Sequence, residues 1–255
     1  MTPTNPAERQ QSRRRAVGLA AALVGWSFTA GLDQPWRRHP VAQAAYGTVL
    51  AAATRAPLGL RPPALRPGLR AGLAVAGAVA AGVAVSAAVP KVRAAMGERD
   101  LPQRPRHWLT VEIPLGTVWS EETAFRGALA TLAADAFGPT GGRLLQALTF
   151  GLTHIPDARG TGEPVLGTVA ATGLAGWVFA LLAERSGSLA APMLAHLAVN
   201  EAGAIAALAV QRRTRSPMSP AGRLRSPMSP AGRLRSPMSP AGRLRSPMSP
   251  AGRLW

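Results

Sequence analysis

The chain has 255 residues, 47% of them hydrophobic, and a formal charge of +17; eight of those charges lie in a C-terminal repeat, leaving +9 for residues 1–214. It contains no cysteine, which excludes disulfides and thiolate metal sites. Aromatics are few and Ala and Gly abundant, which suits close helix approach in lipid better than a bulky soluble core. An excess of Arg in the loops of a membrane protein is ordinary, so nucleic acid is not an expected partner; the lipid bilayer is.

Residues 1–15 are polar and end in Arg13-Arg14-Arg15, and an uncharged run from Ala16 to Leu32 follows, about long enough to cross a bilayer. A secretory signal has a similar outline, but further apolar runs downstream favour a retained first span. Val41 to Ala53 is a shorter apolar run. The loop from Arg55 to Arg70 carries four Arg and four Pro and must lie outside the membrane core, because Pro breaks helices and removes backbone donors. Ala71 to Val89 is the cleanest span, nineteen residues without a charge and little beyond Ala, Gly and Val.

Residues 91–107 are polar again and read as a linker between the N-terminal spans (16–90) and a chemical back half. Four apolar segments follow at about 108–134, 143–156, 165–183 and 189–210. The breaks between them, at Gly138-Pro139, Pro156 to Pro164 and Arg185 to Ser188, fit tight helical hairpins. The expected fold is all-α, a transmembrane helix bundle of about seven spans. Arg13–Arg15 and the 55–70 loop both ask for the cytoplasmic side, which with seven spans sends the C-terminus to the other. Residues 211–255 form a basic tail in which Arg-Ser-Pro-Met-Ser-Pro-Ala-Gly-Arg-Leu occurs four times without a difference. Each unit has two Arg, two Pro and no apolar face, so the tail is expected to be disordered.

Chemistry-bearing residues recur inside the apolar back half. Glu121 and Glu122 precede Arg126, and Glu122 and Arg126 stand one helical turn apart, able to pair as carboxylate and guanidinium. Glu121 projects to another side, so one carboxylate can be structural and the other chemical. His154 ends the next segment, and His196 and Asn200 share a helix face one turn apart. Charged and imidazole groups are costly in hydrocarbon and are kept when they face one another. Together they make a hydrolytic constellation: Glu as general base on a water, His to orient it, His and Asn to donate to an oxyanion. Two imidazoles and a carboxylate are equally the ligands of a catalytic zinc, so a zinc cofactor stays open.

The stretches EETAFR, FGLTH and HLAVN resemble the EExxxR, FxxxH and HxxxN motifs of the CPBP (Abi, type II CAAX prenyl endopeptidase) family of intramembrane proteases. The likeness covers about residues 108–210, in the right order. It implies a helix bundle around a polar cavity and an endopeptidase acting on a peptide or membrane-protein substrate. It also implies Glu121 as the base, His154 sharing the water, His196 and Asn200 at the oxyanion, and Glu122 with Arg126 holding the motif. Members are described both as metalloproteases and as metal-independent glutamate proteases. Eukaryotic members remove the C-terminal tripeptide of prenylated proteins, whereas the Ala/Gly/Arg bias here suggests a bacterial plasma membrane, where such a substrate is doubtful. A non-catalytic membrane scaffold or bacteriocin-immunity protein would keep the same bundle. A proton-coupled transporter explains the buried carboxylates but not the two His and the Asn.

Overall fold

The computed structural model describes residues 5–29 and 39–215, whose regular structure is helical, without a strand. Helix α1 (Pro6–Thr29) starts where the Asn5 side chain accepts from the Ala7 N–H at 3.0 Å and Pro6 occupies the first turn. It therefore runs through the arginine cluster instead of beginning after it. α2 (Pro40–Ala53) has Pro40 in its first turn and His39 as its side-chain cap. Its 14 residues make about 21 Å, short of the hydrocarbon thickness unless its ends are extended. α3 (Leu65–Ser86) opens inside the Pro/Arg loop, and α4 (Pro90–Glu98) occupies much of the segment expected to be a linker.

After a single turn, α5 (Pro105–His107), the chain winds more widely in two π-helical stretches, π1 (Trp108–Trp119) and π2 (Glu122–Leu129). Pro114 lies within π1. In an α-helix its ring would meet the carbonyl four residues back; wider winding eases that clash, while the missing N–H leaves a gap in the ladder in either kind of helix. α6 (Ala130–Leu152) is bent sharply where Gly138 takes φ 72° and ψ 174°, a conformation a glycine adopts without strain. The chain there doubles back so closely that a Cβ on Gly142 would stand 2.6 Å from the Ala134 backbone nitrogen. Two helical stretches thus meet in a tight hairpin at Gly138-Pro139, where the sequence places one. α7 (Ile155–Thr161) and α8 (Val165–Ser186) both end on left-handed glycines, Gly162 and Gly187, and α9 (Ala190–Arg215) closes the described part of the chain.

Two ends of the bundle can be followed through these contacts. At one, the Leu189 N–H donates to the Leu58 carbonyl at 2.9 Å, Gly68 and Gly72 let α3 pack on Ser188 and Leu194, and Arg13 lies over Phe137. The arginine cluster of α1 and the 55–70 loop therefore share an end. At the other, the Gln211 amide donates to the carbonyls of Met96 and Arg99 at 3.2 and 2.6 Å, tying the last turns of α9 to α4. Burial there holds the Arg99 guanidinium below its usual range, opposed by the Glu163 carboxylate.

Among the described residues three helices are long and apolar enough to cross a membrane: α3, α8, and Ala190–Thr214 of α9. Their outer faces are apolar and open, with Leu166 86% and Val85 72% exposed, as lipid contact allows and water does not reward. The interior is built from small residues around aromatic anchors: Ala20, Leu23, Ala124, Phe125, Leu129 and Phe150 form one cluster, and Trp108, Ile113, Val118 and Ala204 another. The first expected span ends at Leu32, outside the described residues; the tail expected to be disordered from 211 is helical as far as Arg215, where the repeats begin, and the rest of it lies outside the described residues.

Candidate active site

π2 carries Glu122 and Arg126 into the interior, with Glu121 immediately before it. Glu122 is fully buried, and Arg126 Nε stands 3.4 Å from its Oε2, one turn away as the spacing predicts. The guanidinium carbon lies 4.1 Å from the Phe150 ring centroid and 5.0 Å from that of Phe179, so aromatic faces replace solvent around the cation.

α9 brings His196 and Asn200 to the same place. Each glutamate faces one ring nitrogen of His196: Glu122 Oε1 lies 2.8 Å from Nδ1, and Glu121 Oε2 lies 3.8 Å from Nε2. A carboxylate can only accept, so the Glu122 contact assigns the Nδ1 proton. The partners form a chain, Arg126 to Glu122 to His196, in which each group orients the next. Phe179 stacks on the imidazole at 5.1 Å, closing its other side. The Asn200 amide donates to the His196 backbone carbonyl at 3.1 Å, which uses one of its two hydrogens.

His154 lies just beyond the end of α6, in contact with the same aromatic. Its Nδ1 donates to the Phe150 carbonyl at 2.7 Å, and its ring meets Phe150 edge-on at 4.7 Å. Phe150 also lies 6.2 Å from the His196 ring, so one side chain joins the two histidines. The Nδ1 bond leaves the lone pair of the neutral His154 ring on Nε2.

Of the six residues singled out in the sequence, Glu121, Glu122, Arg126 and His196 stand in direct contact, His154 joins them through Phe150, and Asn200 is tied to the His196 backbone one turn away. The two carboxylates differ in access: the Glu122 side chain is fully buried while 11% of the Glu121 side chain is exposed. Sequence spacing anticipated the Glu122–Arg126 pair but not the Glu122–His196 bond, which spans 74 positions. It also missed Phe179 and the buried amide of Gln146; a lone amide in an apolar segment was the available signal for the latter.

A catalytic zinc takes three protein ligands and an open position. Among the described residues no three His, Asp or Glu side chains are arranged to hold a metal ion. The Nδ1 bonds of His196 and His154 leave Nε2 as the atom of each ring that could face a metal, but among the described residues no third side chain completes a set of three with them.

Fold and site together define a helical membrane protein with a buried Glu/His/Arg cluster. Residues 104–202 match the family described as Type II CAAX prenyl endopeptidase Rce1-like, so this segment of the chain is similar to that family. All six residues of the site lie within the matched segment. No curated protein and no solved structure matches the chain.

Proposed function

We propose that this protein is an intramembrane endopeptidase that hydrolyses a peptide bond of a membrane-associated substrate with water activated by Glu121. The observation that carries the reading is His196 bracketed by two carboxylates of unequal access, the inner one neutralised by Arg126. In the reaction Glu121 takes one proton of the water, and His154 Nε2 accepts a hydrogen bond from the other. The water oxygen bonds to the scissile carbonyl carbon, and the carbonyl π pair moves onto oxygen. His196, held through Nδ1 by Glu122, and the second amide hydrogen of Asn200 stabilise that oxyanion. On collapse the C–N bond breaks and the leaving amine takes the proton from Glu121.

The membrane setting follows the same reading. α1, α2, α3, the π1–π2 segment, α6, α8 and α9 would make seven passes, with the arginine-rich end facing the cytoplasm of a bacterial cell. Membranes from cells with the wild type and with Glu121→Gln, compared by mass spectrometry of new protein C-termini, test the activity. Termini that depend on Glu121 support it. Identical sets, with Glu121→Gln retaining the biological phenotype, would instead support a non-catalytic peptide-binding or immunity role.

A further inference from the structure

Among the described residues, buried side-chain nitrogens and oxygens without a hydrogen-bond partner are found on Arg126, Gln146 and Arg143. The three are not scattered. Arg143, Gln146 and Phe150 lie three and then four positions apart on α6, which puts them on one face of the helix. The Phe150 end of that face lies against the Arg126 guanidinium at 4.1 Å. Its other end reaches the edge of the molecule, where Arg143 pairs with the half-exposed Glu184 at 3.2 Å and lies over Trp177 at 4.7 Å.

Leaving such groups unpaired is expensive: about 1–3 kcal/mol for each neutral donor or acceptor and more for a charged one. Gln146 is completely buried with both amide atoms unpaired, and Nη1 and Nη2 of Arg126 are in the same condition. Buried water is the ordinary partner of such atoms and settles where two to four polar groups can hold it. An anion is a poorer match, because two carboxylates already stand beside the one guanidinium.

We propose that Arg143, Gln146 and Arg126 line an internal water path from the Glu184 edge of the bundle to the catalytic carboxylates, and that this path supplies the water consumed in hydrolysis. The supply role rests on the peptidase reading; the presence of water does not. Gln146 is the midpoint, with one amide acceptor and two donors able to hand solvent between the two arginines.

Radiolytic hydroxyl labelling of the full chain in lipid nanodiscs tests the path, because buried side chains are oxidised only where water is held beside them. Phe150 and Phe179 are the reporters. Trp108, as buried as they are but set in an apolar cluster, is the dry control. Wild type is expected to label at Phe150 and Phe179 above Trp108, and Gln146→Leu to bring both down to the Trp108 level. Its kcat should fall about tenfold with KM unchanged, the equivalent of one lost buried hydrogen bond. Arg143→Met, at the outer mouth, should lower the same two labels if Gln146→Leu does not fold. Labels no higher than Trp108 in the wild type overturn the path. So do unchanged labels in the variants, or a Gln146→Leu protein that is more stable and equally active. Labelled phenylalanines in a protein that cleaves nothing would leave the path standing and defeat the peptidase reading, whereas cleavage with a dry interior would defeat the path alone.

Discussion

The Glu122–Arg126 pair offers the most quantitative check on the interior. Glu122→Gln keeps the side-chain shape and an acceptor for His196 but removes the countercharge 3.4 Å from Arg126 Nε. At that distance, with an effective dielectric near 20, the attraction is about 5 kcal/mol. Both side chains are fully buried, so bulk solvent does not screen it. Breaking a buried pair from one side is expected to cost about 3–5 kcal/mol, since the remaining charge stays desolvated. Arg126→Met should cost a similar amount, including the loss of the guanidinium from the faces of Phe150 and Phe179. The double variant Glu122→Gln/Arg126→Met removes both charges and should lose far less than the sum, with a coupling of about 2 kcal/mol or more. Reversible unfolding in mixed micelles, read by circular dichroism, gives all three values. Additive losses, or single losses below about 1 kcal/mol, would refute a charge-paired interior.

Other outcomes follow from the same geometry. His154→Ala should lower kcat about 10²–10⁴-fold with little change in the unfolding midpoint, as expected for a group that acts on the water rather than on packing. His196→Phe should be inactive as well, and by removing the Nδ1 partner of Glu122 it should also lower stability; a kcat loss without a stability loss would argue against the Glu122 bond. Gly47→Ala places a methyl against Thr123 Oγ1 and the Ser120 carbonyl, where α2 meets the turn bearing the glutamates, and should cost about 1–3 kcal/mol in a micelle unfolding titration. Prolonged dialysis against a chelator should leave peptide cleavage unchanged; loss of activity restored by zinc would contradict the ligand geometry.

Much of the plan was legible because membrane segments announce themselves by length and the absence of charge. The apolar runs 71–89, 165–183 and 189–210 coincide with α3, α8 and α9 to within about six residues at their ends. The Glu122–Arg126 pair was legible because one helical turn is a local distance. Helix ends were less so: α1 begins ten residues before its apolar run, because a helix continues wherever its backbone bonds are made, whatever its side chains touch. The linker reading of 91–107 overlooked Pro90, a good first-turn residue, and so missed α4. The wide winding of π1 and π2 has no compositional mark beyond Pro114. The meeting of His196 with Glu122, and of Phe179 with His196, depends on how α8 and α9 pack, which residue types alone do not encode.

The most direct test of the account is hydrolysis by purified protein in liposomes containing a membrane-anchored peptide substrate, run in ¹⁸O-water with the wild type and Glu121→Gln side by side. Wild type should release two fragments, the new carboxylate carrying oxygen from the solvent, while a correctly folded Glu121→Gln protein releases neither. Equal cleavage by the two proteins would show that Glu121 does not activate the water.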